Sequence, residues 1–214
     1  INGMKDVLGI WIGEFESSKF WMNILSDLKA RGVNEILIAS VDGLKGFEQA
    51  IAAIFPNTEV QQCVVHQIRT STKFVTYKDR KKFCEDMKPI YTAANEDAGL
   101  TALNHFEEIW GKKYSYAGKS WRENWKNLST MFNYPEEIRK IIYTTNAIEN
   151  FNRQIRKVTK TKSSFPTEDS LFKLLYLIVM DKTEKWTMPV HNWSLIINQL
   201  GIYFKERLTS QLMK

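Results

Sequence analysis

The sequence predicts an α/β fold: a mixed sheet with helices on its faces, interrupted by a long helical segment. Two observations lead there. Over residues 1–66, short apolar runs of strand length alternate with stretches whose apolar residues recur at helical spacing. Over 67–140 the strand signal disappears while helical spacing continues, and such a stretch is too long to be a mere connection. Three parts are therefore expected: a partial α/β core over 1–66, a helical insertion over 67–140, and helices over 141–214 that complete the core.

Each element has its own warrant. Asn2-Gly3 is a hairpin-turn dipeptide, and the apolar run 7–12, closed by Gly13, reads as the second arm of a hairpin. The chain opens on Ile1 inside that turn signal, so the sheet is expected to be incomplete at its amino end. Ser17 or Ser18 is placed to cap a helix whose apolar residues are Phe20, Trp21, Ile24, Leu25 and Leu28, with Arg31-Gly32 as its stop. Residues 35–41 read as a buried strand delivering Asp42 at its carboxyl end, directly before Gly43. A carboxylate there sits on the rim where ligands of α/β folds gather, although Asp-Gly is also a common turn dipeptide.

Phe47, Ala50, Ile51 and Ile54 define a second helix that Phe55-Pro56 closes, and 60–65 reads as another strand, leading into His66. Within 67–140, helices are expected over 74–89, 90–110 and 120–132, with Trp110, Trp121 and Trp125 as core anchors. Pro135 begins the helix leading to Glu149, residues 163–166 break it, and 169–180 is the last strongly apolar helix expected.

Charge is unevenly spread. The chain of 214 residues carries a net charge of +6. Residues 1–66 hold five basic and eight acidic side chains, 67–140 hold 14 and 10, and 141–162 hold five and one. An acidic first third beside basic middle segments suits a polyanionic partner approached from one side. Two cysteines, Cys63 and Cys84, are too few for a disulfide scaffold, and no secretory signal is recognisable. The most apolar run, 171–180, contains Lys173 and falls well short of the roughly 20 residues a membrane span needs. A cytoplasmic, reducing setting without membrane attachment is expected.

The chemistry concentrates between Tyr143 and Lys162. At helical period Ile148, Phe151, Ile155 and Val158 form one stripe, while Glu149, Arg153, Arg156 and Lys160 form another. From Phe151 to Lys162 there is no acidic residue to neutralise the cations, a footprint suited to a phosphate backbone. The plainer reading is an ordinary amphipathic helix in which Glu149 pairs with Arg153 at i,i+4. Asp42 and Glu149 are the two carboxylates placed for work. Brought together beside phosphate-facing cations, they would supply the hard oxygen ligands that a two-metal phosphodiester enzyme needs. Cys63 and His66 could open a zinc site, but Cys84, His105 and His191 do not stand at ligand spacing, so packing and support of the site are the preferred roles.

Several segments together carry a resemblance. Val41-Asp-Gly-Leu-Lys-Gly-Phe47, Phe55-Pro56, Gln62-Cys-Val-Val-His-Gln-Ile-Arg69, Trp121 and Trp125, Tyr143-Thr-Thr-Asn-Ala-Ile-Glu149 and Asn152-Arg-Gln-Ile-Arg-Lys157 resemble, in order, the motifs of the Mutator-type bacterial insertion-sequence transposases. The resemblance implies a ribonuclease H-like domain with a helical insertion, and DNA cutting and joining by an Asp, Asp, Glu triad holding Mg²⁺ or Mn²⁺. It maps Asp42 to the second acidic residue, Glu149 to the third, and Cys63 with His66 to the family's Cys-x-x-His pair. The first Asp of the family pattern has no counterpart here, since Asp6 lies within the expected hairpin. Were these the wrong carboxylates, Asp6, Glu14 and Glu16 would be the replacements to consider.

The implied DNA contacts are Arg69, Asn146, Asn152, Arg153, Arg156, Lys157 and Lys160. Double-stranded DNA and transposon ends are the implied partners, and a homo-oligomer in the transposition complex is compatible with them. Two functions remain in view: a metal-dependent transposase catalytic segment, and a nucleic-acid-binding or regulatory protein that has kept the fold and lost the chemistry.

Overall fold

The computed structural model describes residues 2–13, 17–143, 146–161 and 164–212, with side chains described as far as residue 208. Helix α1 (Ser18–Ala30) starts where Ser17 Oγ accepts from the Phe20 amide and stops at Gly32, whose φ of 97° suits glycine. Strand β1 (Ile38–Val41) leads through the Asp42–Gly46 turn into helix α2 (Phe47–Ile54), and strand β2 (Glu59–Gln62) follows. The strands pair in parallel, with Ile38 opposite Glu59 and Val41 opposite Gln62. Ile24, Leu25, Leu28, Val41, Ala50, Ile51 and Phe55 form a small core beneath them, and Trp21 stacks on Phe47 at 4.1 Å between ring centroids.

The rest is helical. Helices α3 (Val64–Thr72), α4 (Tyr77–Thr92), α5 (Glu96–Glu123), α6 (Trp125–Leu128) and α7 (Glu136–Ile142) come first, with a 3₁₀ turn over Ser129–Asn133 before α7. Then follow α8 (Asn146–Thr159), α9 (Glu168–Thr183), α10 (Trp193–Tyr203) and α11 (Lys205–Leu212). One larger core unites Val64, the interior of α4 to α7, and Ile196, Leu200 and Phe204. At its centre Phe83 meets Phe106, Trp110 and Tyr114 edge-on at 5.0, 5.3 and 5.5 Å. Trp121 is buried and donates its indole hydrogen to Ser71 Oγ at 3.0 Å. Trp110 and Trp125 are half-buried, each donating to a carboxylate, of Asp86 and Glu96 respectively.

Several expectations need correction. The described residues hold a two-stranded parallel sheet in a mostly helical chain, so the mixed, ribonuclease H-like sheet is not what this sequence forms. Residues 7–12 form no strand. Leu8 and Ile12 are exposed, and among the described residues no ladder partner satisfies the backbone there. The strand expected over 60–65 ends at Gln62, and Val64 opens a helix instead. That helix was hidden because polar residues carry its buried stripe: Val64, Gln67 and Ser71. Gln67 Nε2 donates to Ser120 Oγ, and Gln67 Oε1 accepts from Asn124, so its burial is satisfied.

The expected helix limits within 67–140 also move. Helix α4 passes through Pro89 by one turn because Met87 and Ile90 are both buried, and packing overrides the lost backbone bond. Asn95 then caps α5, which continues to Glu123 across a kink at Tyr114. Beyond 169–180, α10 buries Ile196 and Leu200, so α9 is not the last apolar helix.

Candidate functional site

The carboxyl ends of the two strands position the site. Parallel pairing continues one step past the ladder, the Cys63 amide donating to the Val41 carbonyl at 2.7 Å, so Asp42 and Cys63 emerge side by side. Cys63 is also the N-cap residue of α3, which places His66 in that helix's first turn and Arg69 one turn further. Two bonds bring the α7 to α8 junction to the same edge: Val64 donates its amide to the Tyr143 carbonyl at 2.9 Å, and Ser40 Oγ donates to the Ile142 carbonyl at 2.8 Å. Glu149, in the first turn of α8, arrives there as a result.

His66 stands between the two carboxylates. Its Nδ1 lies 3.2 Å from Asp42 Oδ1 and its Nε2 lies 3.2 Å from Glu149 Oε1. The first contact lacks the alignment of a hydrogen bond, and Asp42 Oδ1 is buried with no donor among the described residues. Arg69 clamps Glu149 in a two-point pair, Nη1 to Oε1 at 2.5 Å and Nη2 to Oε2 at 2.8 Å. That guanidinium, foremost through its hydrogen bonds, holds the Glu149 carboxyl below the usual carboxylate range. The same hydrogen bonds raise Arg69 further above its own ordinary value.

The i,i+4 pairing of Glu149 with Arg153 does not occur: the partner of Glu149 is Arg69, 80 positions away. Arg69, expected among the DNA contacts, is also the clamp on Glu149, a pairing not expected from the sequence. The signal was present as Cys63-x-x-His66-x-x-Arg69, three residues on one helical face.

On α8, Asn146, Asn152, Arg153, Arg156, Lys157 and Lys160 are all exposed to solvent, while Gln154, Ile155 and Thr159 are partly buried. Among the described residues, the four cations form no ion pair with a carboxylate. The expected apolar stripe is only partly covered: Phe151 is buried against Trp186 at 5.7 Å, while Ile148 is 55 % exposed. Thr144, Thr145 and Lys162, as well as Glu14 and Glu16, lie outside the described residues. Asp6 is held locally, its Oδ1 accepting from the Val7 amide. Beside Asp42, the β1 to α2 turn borders a cleft of about 150 Å³ lined by Gly43, Lys45, Gln62 and Asn127, among others. Gly43 and Gly46 give that turn its left-handed φ values of 75° and 80°, and a side chain at Gly46 would collide with Ser18.

The described donors that gather closely enough to hold one ion are Asp42, Cys63 and His66, whose ligand atoms lie within 4.8 Å of one another. None of Cys84, His105 and His191 joins them.

Comparison with known proteins agrees with the ordered motifs. Residues 1–189 match the model described as Transposase, Mutator family. The chain belongs to the Mutator family of transposases. It is 46 % identical over 207 residues to a probable transposase for an ISRM3-like insertion sequence element from Sinorhizobium fredii, and 45 % identical to the transposase for ISRM3 from Rhizobium meliloti. Each alignment covers 96 % of this chain and 52 % of the relative, so the chain spans about half the length of these curated relatives. A probable insertion-sequence transposase from Corynebacterium diphtheriae is 34 % identical over 99 % of this chain and 68 % of its own length. Among the described residues no helix is long and apolar enough to cross a membrane.

Proposed function

We propose that this Mutator-family chain carries part of the catalytic site of an insertion-sequence transposase, one that cuts and joins double-stranded DNA at transposon ends. The observation that carries the reading is the meeting of Asp42 and Glu149 on the two ring nitrogens of His66, although 107 positions separate them in the chain. The donor set fits a hard divalent cation, because Asp42 keeps a buried carboxylate oxygen that no donor among the described residues satisfies. Asp42 and Glu149 would hold Mg²⁺ or Mn²⁺, which supplies activation of the attacking water and neutralisation of charge on the phosphate.

The chain's own residues divide the remaining work. Arg153, Arg156, Lys157 and Lys160 line the basic side of α8 and hold the DNA backbone, with Asn146 and Asn152 at its margin. Arg69 holds Glu149 ionised and oriented, and at 57 % side-chain exposure it lies within reach of an arriving phosphate. Transfer of Arg69 from carboxylate to phosphate would release Glu149 for the metal and couple DNA arrival to assembly of the site. Cys63 and His66 support the strand ends between which Asp42 is held.

One observation favours a second reading, in which the chain binds DNA without cutting: both Glu149 oxygens are already engaged by Arg69. A single experiment separates the two. In the transposase that carries this segment, Asp42→Asn and Glu149→Gln are expected to abolish metal-dependent cleavage of transposon-end DNA while leaving DNA binding in place. Cleavage undiminished in both variants refutes the catalytic assignment and leaves the binding role.

A further inference from the structure

We propose that Asp42, Cys63 and His66 form a binding site for a thiophilic divalent ion of the zinc class, and that its occupation blocks the Mg²⁺ chemistry of the same edge. Three observations converge on it. The ligand atoms of the three residues lie within 4.8 Å of one another, two of them from adjacent strand ends and one from the helix turn that follows. His66 Nδ1 and Asp42 Oδ1 stand 3.2 Å apart, close to the edge of about 3.4 Å that two ligands span on a tetrahedral zinc with bonds near 2.0 to 2.2 Å. Asp42 Oδ1 is buried without a hydrogen-bond donor among the described residues, as an oxygen awaiting a cation would be.

The outer surroundings match as well. With Nδ1 on the metal, Nε2 of His66 faces Glu149 Oε1 at 3.2 Å, and Arg69 fixes that carboxylate in turn. A carboxylate behind a metal-bound histidine sets the ring's tautomer and orientation. Thiolate and imidazole select zinc over magnesium, which prefers oxygen ligands in an octahedron. Three protein ligands leave a fourth position open, as in zinc sites that keep a water.

In this state Asp42 is committed to zinc, and Glu149 is committed to His66 and Arg69. Neither carboxylate then serves Mg²⁺. Zinc binding stands on the geometry alone, whereas its inhibitory consequence rests on the transposase reading proposed above.

Cobalt(II) reports on the site directly, since a thiolate ligand adds a near-ultraviolet charge-transfer band. Titration of the reduced 214-residue chain is expected to give that band at one ion per chain, displaced by Zn²⁺ and not by Mg²⁺. The band should persist in Cys84→Ser and vanish in Cys63→Ser. Absence of the band in the parent, or its survival in Cys63→Ser, overturns the site. Should Cys63→Ser fail to fold, Asp42→Asn carries the test. Loss of a direct ligand should weaken Co²⁺ binding by more than the roughly 10- to 100-fold typical of an outer partner, with the band retained. Unchanged affinity in Asp42→Asn overturns the site.

In the transposase that carries this segment, Zn²⁺ added over Mg²⁺ should suppress cleavage in the parent and act more weakly on Cys63→Ser. Equal suppression of both overturns the inhibitory role. A cobalt band without any Mg²⁺-dependent cleavage leaves the ion site standing and removes the catalytic reading. Cleavage without a band does the reverse.

Discussion

Phe83, Leu103, Phe106 and Trp121 are each no more than 1 % exposed, whereas α8 commits only Phe151 to the interior and leaves Ile148 55 % exposed. The helical body is held by aromatic rings that meet edge-on, and the buried Trp121 indole is paired with Ser71. Helix α8 is held at its amino end by the Arg69 clamp and the hydrogen bond to the Tyr143 carbonyl just before it, and it turns its cations outward. The buried core and the proposed DNA-facing helix are therefore different regions. The body fixes where the strand ends and the first turn of α8 meet, and α8 contributes charge at little cost to the core.

This contrast yields measurable consequences on stability. The largest belongs to Phe83→Ala, which removes the ring at the centre of the larger core and should cost about 3 to 5 kcal/mol, read from chemical denaturation. A loss below about 1 kcal/mol would mean that the body is not the stabilising region. Next is Ser71→Ala, which leaves the buried Trp121 indole N–H without an acceptor and should cost about 1 to 3 kcal/mol by the same measurement. Trp121→Phe made in the Ser71→Ala background should recover part of that loss, because the orphaned donor is gone.

A smaller effect is expected at the Glu149 clamp. Because the folded-state value of Glu149 is depressed, the pair adds stability above the ordinary glutamate range and loses it as pH falls through the folded value. Arg69 is more than half exposed, so solvent screening keeps the contribution of the pair modest. In Arg69→Ala the Glu149 titration, followed by carboxyl-carbon NMR, should move back up towards the ordinary range. No movement would show that something other than Arg69 sets it.

Smallest of all on stability is the triple variant Arg153→Ala, Arg156→Ala, Lys160→Ala, since surface substitutions of this kind usually stay within about 0.5 kcal/mol each. Its effect should appear in DNA binding instead. The salt dependence should flatten by roughly one unit of slope for each phosphate that is no longer neutralised. Unchanged binding would move the DNA surface off α8.

Local pattern in the sequence determined a good deal. The apolar spacing of α1 and α2, the Ser17 cap, the carboxylate at the end of a strand and the basic face of α8 were all legible, because each depends on neighbours within a few positions. The ordered motifs were sufficient to indicate the family. Tertiary structure alone decided the rest. Residues 7–12 have strand composition but no strand partner among the described residues, and a strand exists only when another completes its hydrogen bonds. Helix α3 hides its buried face behind Gln67 and Ser71, whose burial becomes favourable only when Ser120, Trp121 and Asn124 arrive from α5 and its carboxyl-terminal cap. Glu149 could have paired with Arg153 within its own helix. It pairs with Arg69 instead, because the bonds from Ser40 and Val64 to the end of α7 bring α8 against α3, and a two-point guanidinium clamp is stronger than an exposed i,i+4 pair.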